Sequence, residues 1–470
     1  MLTYQDFLAA PDRAKFVAKL IREHCAGEMY KNALIADAYD ARRNKTITEF
    51  VQWLYTSDGG KARDFTAANN RIASGFFPRL NTQRCAYSLG NGLTFTRTEE
   101  RPDGSGGSVT VDLTKEQLGP RFDTDVYRAG YYALIHGAAY GMWNMDHMDV
   151  FRVTEFAPLR DEYTGGLMAG VRFYRIDDKK PMTAVLYEPD GYTVYRTGKD
   201  SEELHEHEAK RAYKLIRTAA PADAQPEERG ENYSALPIVP LYGSRLQQST
   251  LIGMREAIDA YDMVRSGFAN DLQDCAQIYW IVENYGGMSQ SDLERFRDRM
   301  KLMHIAAADT TQGGKVAGYT HEVPYQARQA FLDQLRQGIY EDFGGLNVSV
   351  ISAAAQTATQ IDAAYQPMDE AADDFEYQII DFVQQILALI GIEDTPQFKR
   401  NRITNQMEQV QMVVMEAPYL DDETILRKLP NITPDEISAI LAKNDAAEAG
   451  RFARAGTQPE DDDDSGDGDV

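Results

Sequence analysis

Between Arg336 and Lys399 the chain carries no Lys or Arg, while Asp and Glu occur eleven times. A segment of one sign cannot fold by pairing its own charges. Its apolar residues Phe375, Ile379, Phe382, Val383, Ile386 and Ile390 recur at helical spacing. From about Ala353 to Ile392 the pattern therefore predicts one long amphipathic helix with an acidic outer face. Asp369, Glu370, Asp373, Asp374, Glu376 and Asp381 lie off that stripe. Paired carboxylates can do acid–base work or hold Mg²⁺, but on a helix of this kind they fit a solvated face better.

Two more helical stretches precede this run. In Ser249–Cys275 the residues Leu251, Met254, Ile258, Tyr261, Val264, Phe268 and Leu272 recur at spacings of three and four, with Asp271 and Asp274 off the stripe. In Gln326–Phe343 the same spacing joins Phe331, Leu335, Ile339 and Phe343. Between them lies a compact insert, Ala276–Pro324. It opens on a strand-like IYWIVE, continues with a charged helix over Ser289–His304, and ends in a Gly- and Thr-rich turn and a second extended piece. A short Gly-led apolar loop, Gly344–Ser352, links the second helix to the acidic one.

The first half alternates in character. Phe16, Leu20, Ile21 and Cys25 make a helical stripe, and helical patterns continue over Tyr30–Tyr55, Asn69–Gly92 and Val126–Tyr140. From Met142 to Tyr242 the period shortens to that of strands, at Asp149–Phe156, Gly170–Ile176, Ala184–Tyr187, Tyr192–Tyr195 and Ile238–Tyr242. Asp161–Gly166 has hairpin-turn composition, Arg101–Gly107 reads as a turn, and Ser201–Ala209 and Ala219–Glu231 read as polar loops. After Ile392, helices are expected at Arg400–Met415, Asp421–Leu429 and Thr433–Leu441. Glu460–Val470 holds seven acids in eleven residues and is expected to be disordered.

The 470 residues exceed one simple core, and the fold class is α+β, predominantly helical. A formal charge of −24 excludes a freely basic nucleic-acid binder, though not a protein that encloses DNA without gripping it. Three scattered cysteines, Cys25, Cys85 and Cys275, fit a reducing compartment. No signal peptide and no membrane helix is expected. The sequence holds no GxxxxGK[ST] loop, GxSxG elbow or HExxH motif. His205 and His207 could share a strand face, but no third ligand lies near them, so a solvated loop is the expectation. Arg295, Arg297, Arg299 and Lys301, interrupted by Glu294 and Asp298, fit an interface or a salt-bridged face. No catalytic, cofactor or metal residues are assigned.

The order of these parts resembles that of tailed-bacteriophage portal proteins of the SPP1-like siphophage type. Asn69–Ile72 through Cys85–Gly90, the hairpin Pro158–Gly165, Arg336–Gly345 followed by Asn347–Ala355, and Leu420–Ile432 carry the resemblance, which spans roughly Tyr30 to Lys443. It implies a subunit with wing, stem, clip and crown parts that assembles into a ring, normally dodecameric, with a central channel. The wing would be 1–248 and the stem 249–275 with 326–343. The clip would be 276–325, the tunnel loop 344–354, a long helix 355–391, crown helices 392–455, and the acidic tail 456–470. It further implies packaging and ejection of double-stranded DNA from a capsid vertex of the virion, after assembly in the host cytoplasm. Terminase, head-completion or adaptor proteins, and the major capsid and scaffolding proteins are the implied partners.

On that resemblance Gly344, Gly345, Leu346, Asn347, Val348, Ser349, Val350 and Ile351 belong to the tunnel loop. Leu346, Val348, Val350 and Ile351 are expected to form an apolar collar against DNA. Glu341, Asp342, Asp362, Asp369 and Glu370 are candidate acids of the channel wall. Arg295, Arg297, Arg299 and Lys301 are candidates for contact with terminase or adaptor. The chain departs from the family in lacking Lys near the loop, so no Lys–phosphate contact is carried over. The alternatives are another capsid or tail structural protein, or a soluble enzyme with a carboxylate site.

Overall fold

A computed structural model describes residues 2–55, 60–65, 67–102, 108–198, 201, 203–217, 228–274, 279–283, 291, 295, 315–319, 324–348, 358–402, 413–429, 437, 439–441 and 443. Helices α1 (Tyr4–Ala9) and α2 (Arg13–Ala26) are capped by Thr3 and Asp12, whose side chains accept backbone N–H groups of the first turn. Helices α3 (Glu28–Asp40), α4 (Lys45–Thr48) and α5 (Phe76–Leu89) follow. Between α4 and α5 a small hairpin, β1 (Trp53–Tyr55) with β2 (Lys61–Arg63), replaces the end of the helix expected over Tyr30–Tyr55. Helix α5 starts at Phe76, seven residues later than the pattern from Asn69 suggests.

Strands β3 (Leu93–Thr94), β4 (Thr98–Pro102) and β5 (Ser108–Asp112), with helix α6 (Leu113–Leu118), lead to helix α7 (Phe122–His136). Gly137, with φ of +90°, stops α7 in the left-handed region that glycine tolerates. The chain then turns into β6 (Ala138–Asn144), so Val126–Tyr140 is helix and strand rather than one helix. Next come β7 (His147–Arg152), β8 (Phe156–Arg160), β9 (Leu167–Tyr174), β10 (Thr183–Glu188), β11 (Gly191–Thr197) and β12 (Leu204–Arg211). A hairpin of β13 (Lys214–Arg217) and β14 (Glu228–Glu231) precedes β15 (Ile238–Tyr242).

Strands β8 to β12 form one antiparallel sheet in chain order, and β15, β6 and β7 form a second. The turn at Asp161–Gly166 joins β8 to β9, and Asp161 accepts the N–H groups of Tyr163 and Thr164 inside it. The expected charged loop at Ser201–Ala209 is instead largely strand β12, an edge strand in which all residues after Leu204 except half-buried Glu208 are exposed. Charged side chains on an edge discourage pairing with another chain, which is why this strand looks like a loop in sequence. His205 and His207 are exposed on it. Among the described residues no group of three His, Cys, Asp or Glu could hold a metal.

The five-stranded sheet buries one face under α1 and α2, where Phe7, Phe16, Val17, Leu20 and Ile21 meet Leu159, Val171, Leu186 and Tyr195. The larger core gathers α5, α7, the three-stranded sheet and a long C-terminal helix.

Three helices complete the body. Helix α8 (Arg255–Asp274) and α9 (Tyr325–Phe343) run antiparallel: Ile258 packs in one cluster with Ile339, and Asp271 pairs with Arg328 near their other ends. Between them lies the antiparallel hairpin β16 (Tyr279–Glu283) and β17 (Lys315–Tyr319), as the strand-like ends of the insert suggested. The charged helix expected at Ser289–His304 lies largely outside the described residues. Helix α10 (Ala358–Leu389) has 32 residues, about 48 Å at 1.5 Å per residue. Its buried Phe375, Ile379, Phe382, Val383 and Ile386 form the centre of the larger core. Phe382 lies so close to Gly141 that a Cβ there would meet the ring at 2.5 Å. After α10, β18 (Gln397–Phe398) pairs with β3, and a short helix α11 (Asp422–Lys428) follows. Most of the expected 400–415 and 433–441 helices, and the acidic tail, lie outside the described residues.

Candidate functional site

The site is the junction where α9 ends and α10 passes. Gly344, at φ +65°, caps α9 in the left-handed conformation, with its N–H directed to the Glu341 and Tyr340 carbonyls. A Cβ on Gly344 would sit 2.9 Å from the Pro367 carbonyl of α10, and one on Gly345 would sit 2.6 Å from Leu80 of α5. The two glycines let the backbone pass between α5 and α10 where no side chain fits. Arg84 closes the end of α9. Its guanidinium lies 4.2 Å over the Phe343 ring and donates to the Phe343 carbonyl, a cation at a helix C-terminus. Burial pulls its pKa down to about 10.

Leu346 is buried, 5% exposed, among Tyr87, Tyr365, Met368 and Ala372. Gln83 fixes its backbone: Gln83 Oε1 accepts from the Leu346 N–H at 3.1 Å, and Gln83 Nε2 donates to the Leu346 carbonyl at 3.0 Å. For Leu346 alone this departs from the expected collar. Leu346 is a root that anchors the loop inside its own subunit, because its side chain fills a gap between α5 and α10. Asn347 is half-buried and Val348 is 43% exposed. Ser349, Val350 and Ile351 lie outside the described residues.

The candidate acids divide into two kinds. Glu341, Asp342 and Glu370 are exposed, and Asp362 is 72% exposed with Arg402 at 3.7 Å. Asp369 is different. Its carboxylate accepts from the Tyr87 hydroxyl at 2.6 Å, Arg400 at 3.0 Å and Arg402 at 2.5 Å. Burial alone would raise its pKa, but the Tyr87 hydroxyl and Arg402 outweigh burial and hold it below the ordinary carboxylate range. Burial and the neighbouring Asp369 together push the Tyr87 phenol up to about 12. Arg400 also binds Glu376, at 2.9 Å and 3.0 Å, and Asp373. Its hydrogen bonds to Glu376 raise its pKa further against burial. The interval without cations in sequence is therefore served in space by two arginines from just beyond its end.

Sequence reasoning did not find Gln83, Arg84, Arg400 or Arg402. The one signal was Arg400-x-Arg402 placed directly after a run of unpaired acids. In the insert, Arg295 is exposed, while Arg297, Arg299 and Lys301 lie outside the described residues. Among the described residues no helix is long and apolar enough to cross a membrane.

Residues 28–450 match the family model for "Phage portal protein, SPP1 Gp6-like". A portal protein of Clostridium phage phiCD119 is 26% identical over 206 residues, 42% of this chain and 46% of that protein. The match thus spans under half of that relative's length. The portal protein of Bacillus phage SPP1 is 21% identical over 463 residues, 91% of this chain and 85% of that protein. A solved structure described as "Neck of native GTA particle computed with C12 symmetry" shows 10% identity and a TM-score of 0.36, over 78% of this chain and 89% of that one. With nine-tenths of its length inside one family model, the chain belongs to the SPP1-like phage portal protein family.

Proposed function

We propose that copies of this chain form a ring at one capsid vertex, dodecameric as in the family resemblance, whose central channel passes double-stranded DNA during packaging and ejection. The observation that carries this is the family match over residues 28–450. The role is structural rather than enzymatic. In this proposal 1–248 is the wing, and α8 with α9 forms the stem. The insert 276–325 with its β16–β17 hairpin is the clip that meets terminase and adaptor proteins, Arg295, Arg297, Arg299 and Lys301 included. Residues 344–354 are the tunnel loop, 355–391 the long helix, and 392–455 the crown. Capsid and scaffolding proteins are the remaining partners, met as the virion assembles in the host cytoplasm.

The chain supplies a channel wall with little affinity for phosphate. Each Lys–phosphate contact would release counterions and hold the DNA, and a ring would repeat that contact in every subunit. Exposed carboxylates instead repel phosphates over about 8–10 Å at physiological salt. Asp362 is the acid assigned to the wall, with Glu341, Asp342 and Glu370 approaching it. Asp369 contributes no free charge, because two arginines hold it. Val348 is the described part of the collar. The test is Asp362→Lys in assembled particles: slowed packaging and ejection support the proposal, and unchanged rates of both overturn the role of Asp362.

A further inference from the structure

On a chain of formal charge −24, one cleft of about 710 Å³ is lined by four arginines, Arg42, Arg79, Arg265 and Arg336, and by no carboxylate. All four are exposed. Among the described residues Arg336 pairs with Asp333 at 3.6 Å, an exposed rim contact worth little, and the other three form no ion pair. Arg42 is held in place at a cost. Its backbone sits at φ +54°, in the left-handed region, and its guanidinium lies 2.8–2.9 Å from where a Cβ on Gly75 would be. Four like charges converging on one cleft call for an anion there.

The other flank of α9 carries the opposite sign. A second cleft, of about 640 Å³, is lined by Glu341, Asp342, Glu370 and Asp374. It also holds two arginines. Arg84 is engaged with the Phe343 carbonyl, and with Arg245 counted the four carboxylates still leave the cleft net negative. At about 100° per residue, Arg336 and Tyr340 point to one side of α9 and Glu341 and Asp342 to the other.

We infer that the two clefts are the two halves of one seam: the carboxylate flank of one copy seats in the arginine cleft of the next. This rests on the ring proposed above. A contact between two different patches of the same chain repeats head to tail and closes into a ring when the rotation allows. On α9 itself Arg336 lies within two turns of Glu341 and Asp342, which lets neighbours meet there without a large shift along that helix. A phosphate of DNA is the competing occupant. The second copy is favoured because it carries a carboxylate cleft on the opposite flank of α9, where Glu341 and Asp342 lie within two turns of Arg336. Seated in this seam, Glu341, Asp342 and Glu370 would be paired with arginines, and exposed Asp362 would remain the free charge of the wall.

The test uses two charge-reversed full-length chains, Arg79→Glu with Arg265→Glu and Glu341→Lys with Glu370→Lys. Particle mass is measured for each alone and for their equimolar mixture, with circular dichroism melts to confirm folding. Each variant alone is expected to lose at least tenfold in ring yield while its melting curve is kept. The mixture is expected to recover rings, alternating in composition. Variants that each assemble like the wild type overturn the seam and leave the ring standing. A wild type that forms no ring overturns both. If the arginine variant keeps its rings but loses retention of a double-stranded DNA oligonucleotide, the cleft is a phosphate site and the seam is wrong.

Discussion

The side-chain amide of Gln83 makes both backbone hydrogen bonds of Leu346, accepting from its N–H at 3.1 Å and donating to its carbonyl at 3.0 Å. One residue of α5 thereby takes the place of a missing strand partner and fixes where the proposed tunnel loop begins.

Gln83→Ala removes both bonds and leaves two largely buried backbone groups without partners. We expect a loss of about 2 kcal/mol. Amide hydrogen exchange at Leu346 should accelerate, while exchange in the β8–β12 sheet should not change except through global stability. Protection at Leu346 equal to that of the wild type would show that packing of the Leu346 side chain alone holds the root.

The Arg400 guanidinium serves Asp369, Asp373 and Glu376 together. Arg400→Ala leaves these carboxylates crowded on α10, and we expect destabilisation of about 3 kcal/mol. Asp369→Lys should be as harmful, because it turns an ion-paired acid into a cation facing Arg400 and Arg402. Asp362→Lys should leave the melting temperature within a few degrees, since that side chain is 72% exposed. Urea titrations of the three variants check the order.

Asp394 accepts from the backbone and hydroxyl of Thr96, from the Arg97 N–H and from the Thr114 hydroxyl. Burial works to raise its pKa, but these donors win and bring it down from 3.8 to about 2. A folded-state pKa below the unfolded value stabilises the fold above the unfolded pKa and is lost as pH falls through the folded one. The stability difference between the wild type and Asp394→Asn should therefore be full above pH of about 4 and shrink towards about 2. Melts across that window measure it, and a difference that does not change with pH would contradict the assignment.

Asp262 is fully buried in α8 and accepts from the Ser74 N–H at 2.9 Å. One and two turns on, Ser266 accepts from the Ile72 N–H and Asn270 from the Asn70 N–H. Every second residue of the extended segment meets every fourth residue of the helix, since two extended residues and four helical ones each rise about 6 Å. This is why α5 starts late. Burial raises the Asp262 pKa despite these donors. A raised folded-state pKa favours the fold at low pH and loses that benefit as pH rises through it. We expect Asp262→Asn, which keeps the acceptor for Ser74, to be better tolerated at neutral pH than Asp262→Ala. Equal losses from the two, read from denaturant midpoints, would contradict this.

How far the fold could be read from sequence follows from where its determinants lie. The apolar stripe of α10, the helical stretches of α8 and α9, and the turn at Asp161–Gly166 rest on local period and turn chemistry, and all were legible. Strand β12 was not, because an edge strand with solvated charges has the composition of a loop. The boundary between α7 and β6 hung on Gly137 alone. The acidic face of α10 was legible as a face but not as half of an ion-pair network. Its partners Arg400 and Arg402 lie 24 to 40 residues from the α10 carboxylates they pair with, and only tertiary folding brings them there. Leu346 had the composition of a loop residue and the burial of a core residue, a difference set by Gln83 and α5 more than 250 residues earlier.

The central claim is a ring with a channel. Mass measurement and electron microscopy of the assembled full-length chain test it most directly. The account predicts closed rings of about a dozen copies, with an open centre bordered by α9 and the segment that follows Leu346. Monomers or two-fold dimers without a channel, from protein that melts cooperatively and is co-expressed with its capsid and scaffolding proteins, would contradict it.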